Sequence, residues 1–165
     1  MFIEFGILYY KSNEIMKRTT LLFITLFGII FSVQSQINLK FDHQALPVNN
    51  LKITGDFYRD ILGFKDIPTL VGTKYTHRWL ANYEGKEIHL IYSNEEIQKT
   101  PKEIHMAFSP VDFDKFIDHL KKNNVVFTNY KLEVGVVQVR NDGVKQAWVR
   151  DPQGYWIEIN STNQD

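Results

Sequence analysis

The sequence predicts an α+β fold of two βαβββ modules that form an open, curved sheet. Two observations lead to this fold. The same order of one helix and several strands occurs twice, at about 40–95 and at 103–160, with a polar linker between. Short motifs also recur: Asp-His-Gln-Ala and Ile-His-Met-Ala lie 62 residues apart, and Gly-Lys-Glu-Ile-His and Gly-Tyr-Trp-Ile-Glu lie 69 residues apart.

The first module combines one amphipathic helix with four strands. Apolar residues at helical spacing over 51–62, closed by Gly63, predict the helix. Short apolar or alternating stretches around it predict strands at 41–48, 64–71, 75–82 and 86–93.

The second module repeats this order and is slightly richer in strands. Asp112 is typical of a helix cap, and the apolar spacing that follows predicts a helix to about Lys122. The turn Asn141-Asp142-Gly143 favours a hairpin. The predicted strands are 103–109, 125–130, 135–140, 146–150 and 154–160.

Composition excludes several classes of function. Nineteen basic residues balance nineteen acidic ones, which gives no electrostatic reason to expect nucleic-acid binding. Cysteine is absent, so disulfides, thiolate nucleophiles and cysteine-type zinc sites are excluded. Any metal chemistry must use the five histidines and the carboxylates.

The N-terminal region has the pattern of an export signal. Met16-Lys17-Arg18 precedes an apolar run at 21–33 and a small-x-small exit before Gln36. We therefore expect a signal peptide at 16–35, a doubtful extension at 1–15, and a periplasmic or secreted domain at 36–165. The apolar run is too short for a stable membrane span. An uncleaved signal acting as a membrane anchor is the alternative.

Four residues at corresponding places of the two modules are candidate metal ligands. Side chains alternate across a strand, so each candidate lies on the face opposite its apolar neighbours. We expect this concave face to collect two ligands from each module. Three imidazoles and one carboxylate suit zinc, nickel, iron(II) or manganese(II). The candidates are His43, His89, His105 and Glu158.

One longer motif resembles a known family. Asp-Pro-Gln-Gly-Tyr-Trp-Ile-Glu at 151–158 is similar to the ending of glyoxalase I, whose final Glu binds metal. With His43, Ile88-His89-Leu90 and His105 as further matches, residues 40–160 resemble the vicinal oxygen chelate superfamily. That superfamily includes glyoxalase I, bleomycin-resistance proteins and extradiol dioxygenases.

The resemblance implies a metal-dependent lyase or isomerase that acts on a small α-hydroxy or α-keto carbonyl substrate through a metal-bound enediolate. Glu158 would be both ligand and catalytic proton carrier. Trp148 would form a wall of the substrate pocket, and Arg140 and Arg78 would supply charge for an anionic substrate. Because superfamily members often pair modules between chains, a homodimer is also implied.

Three departures from glyoxalase I argue against glutathione as part of the substrate. His89 replaces a Glu ligand, while Pro47 and Ser93 stand where Arg and Asn contact glutathione. Two alternatives therefore stay open. An iron(II) dioxygenase would use His43, His105 and Glu158 as a two-histidine, one-carboxylate set. A non-catalytic protein would bind a small molecule, as bleomycin-resistance proteins do.

Overall fold

We describe residues 16–18 and 38–162 from a computed structural model. The predicted extension at 1–15 and signal peptide at 16–35 lie outside the described residues, apart from the helical Met16–Arg18. The chain divides into two compact units, Met1–Lys40 and Phe41–Asp165, and both modules belong to the second. No helix in the described ranges has the length and apolar character that a membrane span requires.

The first module is a four-stranded sheet with one helix. In the sheet the strands follow the order β1-β4-β3-β2, with β1 parallel to β4 and the other pairs antiparallel. The elements are β1 (His43–Val48), α1 (Leu51–Asp60), β2 (Lys65–Ile67), β3 (His77–Ala81) and β4 (Glu87–Tyr92).

The second module repeats this topology with one additional strand. The order is β5-β9-β8-β6, with β5 parallel to β9 and β7 paired to β8. The predicted α+β fold of two similar modules is thereby confirmed. The elements are β5 (His105–Phe108), α2 (Phe113–Lys122), β6 (Phe127–Thr128), β7 (Gln138–Val139), β8 (Lys145–Arg150) and β9 (Trp156–Asn160).

Both helices begin at equivalent capping residues. The side chain of Asn50 accepts a hydrogen bond from the backbone N–H of Ile53, and Asp112 accepts one from Lys115. Each cap satisfies a backbone donor that the first helical turn leaves free, which contributes about 1 kcal/mol. The two caps lie 62 positions apart, the offset of the strand motifs, so the duplication extends to the helix starts.

A single hydrophobic core serves both modules. Alternate residues of β1, β4 and β9 join residues of both helices in it; they include Leu46, Val48, Ile88, Leu90, Ile157, Ile159, Tyr58, Phe113, Ile117 and Leu120. Several hydrogen bonds cross between the modules, among them those from Tyr58 Oη to Asp151, at 3.1 Å, and from His119 Nε2 to the Ile61 carbonyl, at 3.2 Å. The other face of each sheet is therefore turned away from this core.

The Asp-Pro-Gln-Gly motif is a turn that fixes the start of β9. Asp151 Oδ1 accepts hydrogen bonds from the backbone N–H groups of Gly154 and Tyr155, at 2.8 and 2.9 Å. Gly154 has φ 103°, a conformation that a residue with a Cβ rarely adopts. The motif that resembles glyoxalase I thus has a structural role as well as a candidate ligand.

The strands are shorter than predicted where turn chemistry intervenes. The strand predicted at 64–71 ends at Ile67, because Pro68 has no N–H to donate to the ladder. The strand predicted at 75–82 begins at His77, since a hydrogen-bonded turn links Thr73 and Thr76 just before it.

Candidate metal centre

The face of the second sheet that is turned away from the core carries an ordered grid of side chains. Residues directly opposite each other in neighbouring strands point to the same face. In one row, His105 of β5 pairs with Trp156 of β9, which pairs with Arg150 of β8. The next row contains, in the same strand order, Ala107, Glu158 and Trp148.

The first sheet has an equivalent grid. Across β1, β4 and β3, one row contains His43, Glu87 and Ala81, and the next contains Ala45, His89 and Trp79. His43 therefore corresponds to His105, His89 to Glu158, and Trp79 to Trp148. The strand pairing reproduces the offsets of 62 and 69 that the sequence motifs show.

His105 and Glu158, which we call the carboxylate pair, turn one potential ligand atom each towards the other. The Nδ1–H of His105 donates to the carbonyl oxygen of Lys102 at 2.9 Å, which leaves the lone pair on Nε2. Nε2 lies 3.4 Å from Oε2 of Glu158. Two ligand atoms held at about 2.1 Å from one tetrahedral ion are about 3.4 Å apart.

Amide donors hold the other oxygen of Glu158. Oε1 accepts hydrogen bonds from the side chains of Gln146 and Asn160, both at 2.8 Å. The Ser109 hydroxyl donates in turn to Asn160 Oδ1, which fixes that amide. With Glu158 only 7% exposed, this network leaves Oε2 as the oxygen that faces His105.

His43 and His89, which we call the histidine pair, are stacked. The His89 ring lies between Trp79, at 3.9 Å between centroids, and His43, at 4.1 Å and 12° between planes. Nε2 of His89 donates to Glu87 at 2.7 Å, and Nδ1 of His43 donates to Asp42 at 2.7 Å. An imidazole lone pair lies in the ring plane, so parallel rings cannot direct two lone pairs at one ion.

The four predicted ligands thus form two separate pairs. Within residues 16–18 and 38–162, no group of three His, Cys, Asp or Glu residues could hold a metal ion. The shared core is the physical reason, because both sheets pack their apolar faces on it and turn the faces with the pairs away. The sequence pattern predicted that one chain gathers all four ligands. In the structure a single chain does not bring the four together.

Of the three predicted pocket residues, only Trp148 lies beside a pair. Its ring meets the edge of the His105 ring at 4.6 Å between centroids. Arg78 is on the opposite face of β3, where it forms ion pairs with Asp56 and Asp66. Arg140 lies in the β7–β8 hairpin and pairs with Asp142.

Two indole N–H groups next to the pairs are buried without a partner. Among the described residues, neither Trp79 Nε1 nor Trp148 Nε1 has a hydrogen-bond acceptor. An unmet buried donor costs about 1–3 kcal/mol, so both positions suit a ligand that brings an acceptor. The recurrence of Trp at the 69-residue offset could have revealed Trp79 from the sequence.

Lys102 is a site residue that the sequence pattern does not reveal. It precedes β5, and its carbonyl oxygen sets the tautomer of His105. Its ammonium lies 4.7 Å from the ring centres of both Trp148 and Trp156. These contacts join distant parts of the chain, so no local motif predicts them.

A comparison with protein families decides the identity of the fold. The model of the Glyoxalase/Bleomycin resistance protein/Dioxygenase superfamily matches residues 40–159. The chain belongs to this superfamily. The resemblance drawn from the motif at 151–158 is confirmed. No curated protein matches the sequence.

Several solved structures share the fold. A glyoxalase family protein from Bacillus anthracis has a TM-score of 0.62 and 22% identity, covering 77% of this chain and 98% of its own. The oxidase ChaP-H2 has a TM-score of 0.60 and 18% identity, with 78% and 97% covered. Lactoylglutathione lyase from Agrobacterium tumefaciens has a TM-score of 0.57 and 16% identity, covering 76% of this chain and 95% of its own. Such identities show the fold alone.

Superfamily members typically use divalent metals, and the two pairs fit such an ion to different degrees. The carboxylate pair fits for two reasons. The distance between His105 Nε2 and Glu158 Oε2 is that expected for two ligands of one ion, and the other ring nitrogen of His105 donates to a carbonyl oxygen, as it does in most metal-binding histidines. The histidine pair has suitable ligand types, but its stacked rings must reorient before they can bind.

Proposed function

We propose that the chain is a divalent-metal-dependent enzyme of the glyoxalase I type, a lyase or isomerase of a small α-hydroxy or α-keto carbonyl compound. One observation carries this proposal: His105 Nε2 and Glu158 Oε2 face each other at 3.4 Å while their other polar atoms are held. A bound zinc, nickel, iron(II) or manganese(II) ion would polarise the substrate carbonyl and make the neighbouring C–H more acidic.

In this proposal Glu158 moves the proton. Two amide N–H donors fix Oε1 in place, and a carboxylate held in this way can act as a general base through its other oxygen. The same donors orient Oε2 towards His105, so the base and the substrate carbonyl meet at one place. Trp148 Nε1–H, which is buried without an acceptor among the described residues, is available to a substrate oxygen.

We further propose that two copies of the chain complete each site. β1 and β5 lie at the edges of their sheets, with His43 and His105 on these edge strands. If β1 of one copy lies beside β5 of the other, the histidine pair meets the carboxylate pair at the seam. Phe41 and Ile104, 58% and 62% exposed beside these edges, would then be covered. A two-fold dimer has two such seams and two sites.

Subunit mixing tests this assembly. One variant carries His43→Ala with His89→Ala, and the other carries His105→Ala with Glu158→Gln. Each alone should bind no zinc, whereas random exchange should create heterodimers with one intact site. Half of all dimers would then bind one ion, so the mixture should bind about a quarter of the wild-type amount. Exchange between folded variants with no recovery of binding would contradict the shared site.

An iron(II) dioxygenase is the second candidate function. His43, His105 and Glu158 supply the ligand set of such enzymes, and a structure of similar fold is named an oxidase. Oxygen consumption on catechols with iron(II) would favour it over conversion of methylglyoxal with zinc or nickel. Tight ligand binding without turnover of either substrate would favour a small-molecule binding protein.

Export is the remaining part of the proposal. The basic start, the apolar run and the small-x-small exit at 16–35 support delivery of residues 36–165 to the periplasm or medium. Mass spectrometry of the N-terminus after expression tests it: export with cleavage predicts a chain that begins at Gln36. A chain retaining 16–35 in the membrane fraction would indicate the anchor instead.

A further inference from the structure

The row that contains His105 ends in an arginine without an anionic partner. Arg150 is exposed, and its guanidinium carbon lies 4.0 Å from the ring centre of Trp156, the residue between it and His105 in the strand pairing. No carboxylate of the described residues forms an ion pair with Arg150. Its planar donors are therefore available to a ligand.

A second positive charge lies beside the same ring. The Lys102 ammonium donates to the carbonyl oxygens of Asn129 and Tyr130, at 2.8 and 3.2 Å, and contacts the Trp156 face. Burial first, and then the neighbouring charge of Arg150, lower its pKa from the ordinary lysine value. Lys102 and Arg150 thus both contact the Trp156 ring.

These two cations line one cavity of about 320 Å³. Tyr130, Leu132 and Trp156 give it apolar walls. Its one carboxylate, Glu103, accepts a hydrogen bond from the Tyr130 hydroxyl at 2.8 Å. Two positive charges against one negative charge leave the cavity net positive, which attracts an anion.

We propose that Arg150 binds the carboxylate of the substrate, which would make the substrate a carbonyl compound with a separate carboxylate group. The guanidinium can form two parallel hydrogen bonds to a carboxylate, and Lys102 adds positive potential. Arg150 and His105 lie on either side of Trp156, two strand spacings or about 10 Å apart at the backbone, so the carboxylate and the reacting carbonyl would lie at opposite ends of the substrate. The presence of a reacting carbonyl beside His105 depends on the proposed function, whereas the binding of a carboxylate by Arg150 does not.

Binding of a matched acid and ester tests this subsite. Levulinate carries a ketone and a carboxylate two methylenes apart, and methyl levulinate is its neutral analogue. NMR titration of the Trp156 indole N–H in protein treated with EDTA measures binding without any metal. The wild type should bind levulinate at least about tenfold more tightly than the ester, the gain expected from a charge-assisted hydrogen bond.

Variants of Arg150 identify the contact. Arg150→Gln should weaken levulinate binding about tenfold and leave ester binding unchanged, and Arg150→Lys should fall between the two. Arg140→Gln is the matched control, because Arg140 lies in the β7–β8 hairpin, and it should bind as the wild type does. Equal affinity for acid and ester, no levulinate binding by the wild type, or normal binding by Arg150→Gln would overturn the subsite. Because metal is absent, a protein that binds levulinate but never binds metal would keep the subsite and refute the proposed function.

Discussion

The hydrogen bond from Tyr58 to Asp151 joins the two modules inside the shared core, and Tyr58→Phe removes only that bond. Tyr58 is fully buried and Asp151 is 4% exposed, so water cannot replace the lost donor. The Oδ1 atom of Asp151 keeps its two backbone donors. Loss of one hydrogen bond to a buried charged acceptor should lower the free energy of unfolding by about 1–3 kcal/mol.

The effect should depend on pH through Asp151. Burial raises the pKa of Asp151 above its usual value, and the Tyr58 hydrogen bond opposes that rise. A raised carboxyl pKa means that this group's stabilising contribution is present below its unfolded pKa and is lost as pH rises through the folded pKa. Tyr58→Phe raises that pKa further. The difference from the wild type should therefore be larger at about pH 8 than at about pH 4.

Urea unfolding at both pH values, followed by tryptophan fluorescence and circular dichroism, measures this difference. Tyr83→Phe is the control, because Tyr83 is 78% exposed, and its free energy of unfolding should stay within about 0.5 kcal/mol of the wild type. A Tyr58→Phe protein as stable as this control at pH 8 would refute the assignment of a buried bond between the modules.

Three further predictions concern the site and the helix surface. Trp148→Phe should lower kcat about tenfold with metal content unchanged, because it removes the buried indole donor; an unchanged kcat would exclude that role. Lys102→Met keeps the backbone carbonyl that accepts from His105 Nδ1 but removes the ammonium that ties this segment to the carbonyl oxygens of Asn129 and Tyr130. With the acceptor less firmly held, zinc binding should weaken about tenfold, and the ¹⁵N NMR spectrum of the metal-free ring should show a mixed tautomer. The exposed Lys115→Met should change neither property. The hydrogen bond from Lys52, with help from Arg78 and Arg59, lowers the pKa of Asp56 to about 2. Its stabilisation should thus be present above about pH 4 and disappear towards pH 2, so that wild type and Asp56→Asn converge in acid; a constant difference would contradict it.

The duplication made much of the fold predictable. Side chains alternate strictly in strands, so the offsets of 62 and 69 predict that His43 corresponds to His105 and His89 to Glu158. The start of the second helix followed from Asp112, whose side chain caps it as predicted, whereas the Asn50 cap of the first helix was found only in the structure.

The packing of the modules on each other could not be predicted in this way. Alternation shows which face of a strand is apolar, but not whether two apolar faces meet in one core. The bond between Tyr58 and Asp151 joins residues 93 positions apart and has no local signal. For the same reason the sequence predicted one concave face with all four ligands, whereas the structure separates the histidine pair from the carboxylate pair.

The charged pocket residues show a second limit. Arg78 and Arg140 were proposed from the family resemblance, but their ion pairs with nearby aspartates hold them elsewhere. Arg150 and Lys102 instead lie against Trp156 and Trp148, whose ring faces attract cations. Such contacts depend on strand register and cannot be read from spacing alone.

Metal content is the most direct test of the central claim, that His105 and Glu158 hold a divalent ion with His43 and His89. Elemental analysis of purified protein after dialysis against zinc, nickel, manganese or iron(II) should find about one ion per chain. Glu158→Gln and His105→Ala should retain the fold by circular dichroism and lose the ion, while Tyr83→Phe should keep it. Unchanged metal content in the folded Glu158→Gln and His105→Ala proteins would contradict the account.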